Sequence, residues 1–301
     1  MNVRPVFLIV HRRSYKYINS VAEYILNSLK LITGSDVMFK LADRIEEINY
    51  PSRSIIFIIG DPFPKPVKAE GCFYIFINFS LLYNVNKNFR LDWRARRWIN
   101  KKHRRFMSKA RTFDMILDFY SPQTDLLEQE LEGLPVKIMP FLTNVTRKPG
   151  IVPPLNERKW DICVVGSLSP RRIKVYKTLR KLGYRLSNFE TPDLQSVIAD
   201  SKLALNIHVQ NCNTFEAPRV IQTLSMGCCL VSEPCYGIEE IIPIDCYCST
   251  VYEDVVSHIS ELLENPDRIK IIGEKAERYI KSQYADRCVR NWKSIAEAIP
   301  S

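Results

Sequence analysis

WDICVVGSLSPRR, residues 160–172, sets a short unbroken apolar run against a small-residue turn, then a proline and two arginines. An apolar run of this length without polar alternation is the pattern of a strand buried on both faces. Ser169 followed by Pro170 is a helix start, because serine caps the free N–H groups and proline fits the first turn. The spacing predicts a helix from Pro170 to Leu182, closed by Gly183. A strand leaving through glycine into a helix is one βα unit, and the same unit recurs on both sides of it.

Toward the C-terminus the pattern gives a short helix at Leu194–Ser201 and a strand at LALNI (203–207). A helix at Glu216–Met226 stopped by Gly227 and a strand at CCLVS (228–232) follow. From Tyr252 the period is helical, broken at Asn265, Pro266 and Asp267 and resumed over Ile269–Tyr284. Toward the N-terminus, VFLIV (6–10) precedes Ile18, Val21, Ala22, Ile25, Leu26 and Leu29 at helical spacing. IIFII (55–59), FYIFI (73–77), the run from Met115 to Phe119 and that from Val136 to Met139 are further strands, with a helix start at Ser121–Asp125. Continuous rather than alternating strands, interleaved with helices, predict α/β architecture with parallel sheets covered on both faces. The segment RKPGIVPPLNERK (147–159), with three prolines and a glycine, has a linker's composition. Two Rossmann-like domains are therefore expected, 1–150 and 151–301, with ligands outside the carboxyl ends of the strands and in an interdomain cleft.

Composition narrows the class. With 46% hydrophobic and 25% charged residues the 301-residue chain is globular, not disordered. Its apolar runs are strand-length, far below the ~20 residues that span a bilayer. Met1–Arg13 lacks a cleavable leader pattern, so a cytoplasmic protein is expected. The nine cysteines form no CxxC pair, and Cys163, Cys228 and Cys229 sit inside apolar runs, as reduced core thiols do. Cys246 and Cys248 have no second pair or neighbouring histidine to complete a tetrahedral site, and no D-x-D triplet occurs. No metal is expected.

A nucleotide diphosphate needs N–H groups at a helix start, cations for the phosphates and an acceptor for the ribose hydroxyls. Gly166 and Ser167 with Arg171 and Arg172 supply the turn and the cations; in the plainer reading both arginines are surface residues. Glu216 and Arg219, three apart at a helix start, share a face and offer a hydroxyl acceptor and a diphosphate cation, or else a weak surface ion pair.

The succession WDICVVGSLSPRR, KLALNIHV, FEAPRVIQTLSMGCCLVSE and VYEDVVSHISELLENPDRIKIIGEKAERYI resembles GT-B glycosyltransferases of the spore-maturation-protein and family-1-like group. FDMILDFYSPQTDLLEQE and VKIMPF are similar to that group's first half. The resemblance implies a hexosyl- or pentosyltransferase using a nucleotide diphosphate sugar, a UDP-sugar foremost, with no further cofactor. It makes 1–150 the acceptor domain and 151–301 the donor domain, with the last helix a candidate to cross back to the N-terminal domain. It assigns Gly166 and Arg171 to the phosphate turn, Asn206 and His208 to the strand end facing the donor, and Glu216 and Arg219 to ribose and diphosphate. Gln222 stands where many relatives have a glutamate. If the reaction inverts the anomeric centre, the base belongs at a strand end of the first half, where His11 and Asp61 are the candidates; each can instead be turn chemistry.

Between Arg90 and Arg111 ten Lys and Arg face one acid, Asp92, which gives nine of the chain's ten net positive charges. At helical spacing Leu91, Ala95, Trp98, Ile99, Phe106 and Ala110 fall on one side, leaving Arg94, Arg97, Lys101, Arg104 and Arg105 elsewhere. This segment could dock on an anionic membrane, making the protein peripheral there, or track nucleic-acid phosphates as a DNA-modifying glycosyltransferase would need. It could also pack on its own domain with its charge merely solvated. A non-catalytic sugar-nucleotide or polyanion binding module is the remaining alternative.

Overall fold

The computed structural model describes residues 4–34, 36–60, 62–85, 91–140, 153–164, 166, 168–187, 194–209, 213 and 215–300, without the side chains of 16 and 17. The chain divides into two compact units. One comprises Met1–Val85, Arg96–Asn144 and Arg287–Ser301, and the other Asn86–Ala95 and Val145–Asp286. Among the described residues no helix is long and apolar enough to cross a membrane.

The first unit holds β1 (Val6–His11), α1 (Arg12–Thr33), β2 (Val37–Ala42), β3 (Ile55–Ile59), β4 (Phe73–Asn78), α2 (Trp93–Ala110, its first turn grouped with the second unit), β5 (Met115–Asp118), α3 (Ser121–Glu130) and β6 (Val136–Ile138). Its six strands are parallel, in the order β2-β1-β3-β4-β5-β6. Every residue of β1 and β3 is buried, as unbroken apolar runs require when helices cover both faces. The edge strand β2 escapes the sequence pattern because VMFKLA alternates around Lys40 and leaves one face wet.

Leu91, just before α2, and Ala95, Ile99, Phe106 and Ala110 on it are buried, and Phe106 meets Phe76 of β4 with ring centroids 5.8 Å apart. Trp98 departs from the expected apolar stripe and is 39% exposed. The last 15 residues belong to this unit: α9 (Ala285–Glu297) buries Trp292, whose Nε1 donates to the Tyr24 hydroxyl at 2.9 Å.

The second unit holds β7 (Trp160–Val164), α4 (Pro170–Lys181), α5 (Leu194–Ala199), β8 (Ser201–Asn206), α6 (Ala217–Ser225), β9 (Cys229–Ser232), β10 (Cys248–Ser249), α7 (Val255–Leu263) and α8 (Pro266–Tyr279). Its strands are again parallel, in the order β10-β9-β8-β7, and Leu186 bridges to Ile162 on the far side of β7. Only two residues long, β10 is too short to show a period.

In both sheets the chain first steps to one side of the opening strand and then returns to build on the other. The first sheet reverses between β1 and β3, and the second between β7 and β8. Helices on the two faces diverge at such a reversal and leave a crevice at the carboxyl ends of the strands.

Candidate functional site

At the reversal of the second sheet, Gly166 follows β7 with φ +92°. A Cβ there would lie 2.5 Å from Nη2 of Arg219 and 2.9 Å from Nη1 of Arg172, so only glycine leaves room for the two guanidinium groups. Ser169 caps α4, its hydroxyl accepting from the Arg172 N–H, and Pro170 opens the helix. This aims Arg172 inward: it is fully buried, and its Nε donates to the Ile207 carbonyl at 2.7 Å and its Nη2 to Glu216 at 3.3 Å. Burial, and then the neighbouring Arg219 charge, lower its pKa.

Arg171 points the other way. Its guanidinium forks onto the buried Glu233 at 2.6 and 3.3 Å and lies 4.3 Å from the centre of the Tyr252 ring, while the Tyr252 hydroxyl donates to the Arg171 carbonyl. Arg219 on α6 donates from Nη1 to Asn206 Oδ1 at 2.7 Å and to Glu216 at 2.9 Å. Its Nε is buried with no hydrogen-bond partner. Three guanidinium groups against the carboxylates of Glu216 and Glu233 leave the cluster with one net positive charge.

His208 is buried just beyond β8. Its N–H donates to Glu233 at 2.7 Å, and its Nε2 lies 3.2 Å from the Pro234 carbonyl. A carbonyl only accepts, so Nε2 carries the ring proton, and the lone pair sits on Nδ1 in the neutral ring. Nδ1 is buried without a hydrogen-bond partner, 3.9 Å from Glu216. A buried polar atom left unpaired costs about 1–3 kcal/mol, which a ligand at that atom would relieve.

Gly166, Arg171, Asn206, His208, Glu216 and Arg219 are thus brought together. Gln222 is buried on α6 three residues beyond Arg219, outside the bonds joining Arg219 to Glu216 and Asn206. Ser167 lies outside the described residues. The residue pattern offered Arg171 and Arg172 alike as cations, the resemblance assigned only Arg171, and neither pointed to Glu233 or Tyr252. Glu233 carried a signal, since it directly follows a buried strand at the carboxyl edge; Tyr252 carried none.

The corresponding edge of the first sheet is built differently. His11 ends β1, buried, and its Nδ1 accepts from the Arg13 N–H at 3.1 Å, capping α1. The ring proton is therefore on Nε2, 3.9 Å from Asp43. Burial lowers the His11 pKa, and Arg13, Arg105 and Lys109 add to this against Asp43. Gly60, φ +136°, passes so close that a Cβ would sit 2.6 Å from the His11 Cβ. Asp61 lies outside the described residues. At the end of β5, fully buried Asp118 accepts from Asn78 at 2.6 Å, Gln123 at 2.8 Å and the Tyr120 N–H at 2.8 Å. Burial pushes its carboxyl up to about 6 against those bonds.

Arg94, Arg97, Lys101, Arg104 and Arg105 are all exposed on α2. Among the described residues no group of three or more His, Cys, Asp or Glu side chains is placed to hold a metal ion.

Residues 146–293 match the glycosyl transferase-like family. No curated protein matches the chain. Solved structures do. Sucrose-phosphate synthase from Thermosynechococcus elongatus is 11% identical at TM-score 0.59, with 98% of this chain and 97% of that one covered. WaaG, a glycosyltransferase of lipopolysaccharide biosynthesis, is 10% identical at TM-score 0.57 with 98% and 100% covered. HepE from Anabaena, solved with UDP-glucose, is 8% identical at TM-score 0.57 with 97% and 98% covered. Against TarM, 14% identical at TM-score 0.57, the chain spans only 55% of that protein's length. The fold is that of the GT-B glycosyltransferases. Together with the family match over the second half, it supports sugar transfer as the class of activity.

Proposed function

We propose that this protein is a metal-independent hexosyl- or pentosyltransferase that takes its sugar from a nucleotide diphosphate sugar, a UDP-sugar foremost, bound at the reversal of the second sheet. One observation carries the reading: two arginines, Arg172 and Arg219, crowd Gly166 in a cluster of one net positive charge, and two buried polar atoms, Arg219 Nε and His208 Nδ1, have no partner. The diphosphate belongs against Arg219, with the fully buried Arg172 adding its charge from behind. As the bond from the anomeric carbon to the phosphate oxygen breaks, charge develops on the leaving diphosphate, and fixed guanidinium groups in a site shielded from water stabilise it. This is the work a metal does elsewhere. His208 Nδ1 accepts from a donor hydroxyl, and Glu216, bonded to two arginines, keeps lone pairs for another. HepE, bound to UDP-glucose, supports the choice of donor.

The first unit serves the acceptor. For an inverting reaction we assign the base to Asp61 rather than His11, whose lone pair is already used as a helix cap. Free cysteines throughout the described residues support a reducing, cytoplasmic setting.

A thermal-shift panel of UDP, other nucleoside diphosphates and their sugars tests the donor class, because a ligand that binds only the folded chain raises its melting temperature. The expected result is a shift with uridine nucleotides that persists with chelator and disappears in Arg219→Ala. No shift with any nucleotide, or an equal shift in that variant, overturns the reading. A shift without hydrolysis or transfer to any acceptor identifies a binding module instead.

A further inference from the structure

Five of the eight cations of α2 share one side of the helix. Arg94, Arg97, Lys101, Arg104 and Arg105 recur at intervals of three and four residues, so they lie on one side, and Trp98 is set among them. All six are exposed, and α2 contains no acidic residue. Arg94, Arg97, Lys101 and Arg104 make no ion pair among the described residues. The helix's apolar side is already occupied inside the protein, where Ile99, Phe106 and Ala110 are buried. The exposed face is therefore surplus to folding, and at 1.5 Å per residue its charge extends over roughly 16 Å in a straight row.

We propose that this face docks the protein reversibly on an anionic lipid surface, independently of what the second unit binds. The charge of Arg94, Arg97, Lys101 and Arg104, which has no counterion among the described residues, is complementary to an anionic leaflet, and the tryptophans favour lipid over nucleic acid. Lys102 Nζ lies 4.4 Å from the centre of the Trp98 ring, and the Arg94 guanidinium 5.3 Å from that of Trp93. A ring with one face taken by a cation cannot be sandwiched between two bases and keeps a single face for stacking. The same pairing suits the headgroup boundary, where indole rings sit beside cations with their edges in water. Since no apolar stripe is left to insert, attraction is electrostatic, and binding is salt-sensitive and releasable.

Co-sedimentation of the full chain with vesicles tests this, using phosphatidylcholine alone and phosphatidylcholine mixed with phosphatidylglycerol over a salt series. Binding to the anionic vesicles alone, falling steeply with salt, is expected. Each cation near an anionic surface changes the partition about fivefold, so R97E/K101E/R104E should lose on the order of a hundredfold or more. Its melting temperature and nucleotide response should match the parent's, because the changed side chains face solvent. Should that variant fail to fold, K101Q/R104Q reads the same effect as a loss of roughly twentyfold. Equal binding to both vesicle types, no binding to either, an unchanged partition in the folded variant, or tighter binding to duplex DNA than to the anionic vesicles at equal salt overturns the proposal. Absence of any nucleotide response leaves this test intact, so the two readings fail separately.

Discussion

The two sheets reverse direction in the same way and present the same kind of crevice, yet they furnish it oppositely. In the second unit, Gly166 gives up a side chain so that Arg172 and Arg219 can crowd the strand ends, and polar atoms are left buried and unpaired. In the first, Gly60 gives way to His11, and His11 and Asp118 are bonded to their own surroundings. Topology decides where a ligand can sit. The saturation of the local hydrogen bonds decides whether the site needs one: the second crevice has one net positive charge and unpaired buried atoms, while the first is already satisfied at the residues described.

The largest effect that would break this contrast is in the second crevice. Arg172→Ala removes a buried cation and leaves Glu216 with one arginine fewer, a loss of about 3–5 kcal/mol by analogy with broken buried pairs. We expect a chain that melts many degrees lower and binds no nucleotide, measured by thermal shift; parental affinity in a folded Arg172→Ala would remove the anion site. Gly166→Ala should follow, since the methyl group must displace a guanidinium at a positive φ. Roughly a hundredfold weaker nucleotide binding by calorimetry is expected, with a stability loss of about 1–3 kcal/mol.

In the first unit the contrast sharpens between neighbours. Asp61→Asn should lower transfer by about a hundredfold or more, as loss of a general base does. His11→Ala should cost the cap, about 1 kcal/mol, and less than tenfold in rate. A reversed ranking returns the base to His11. The smallest effect is a titration. The Asp118 carboxyl, observed by carbon NMR, should turn over near about 6 rather than 3.8. A pKa raised on folding means that its contribution to stability is complete below the unfolded value and is lost as pH rises through about 6. A midpoint near 3.8 would show the Asp118 cage open to water.

Most of the fold was legible because buried parallel strands must be unbroken apolar runs; WDICVVG, VFLIV, IIFII and FYIFI could be little else. VMFKLA was missed because an edge strand pays no penalty for Lys40, and Trp98 was misplaced because a wide helical stripe fixes a position only to within about a residue. At the second sheet's reversal, residue types and spacing picked out side chains that the fold does bring together, but not their pairing. Arg171 and Arg172 are identical in sequence terms, and only the Ser169 cap and the space left by Gly166 send one inward and the other to Glu233. That choice depends on contacts between segments 35 to 62 residues apart, which no local pattern records.

The packing of Trp292 against Tyr24 has a consequence for synthesis. A chain emerging from the ribosome completes the second unit while the first still lacks its closing helix, so the usual N-to-C order of domain maturation is inverted. Until the final turns arrive, the early α/β layer keeps an uncovered apolar groove, and nascent or truncated chains ending before Arg287 should be the species that chaperones hold.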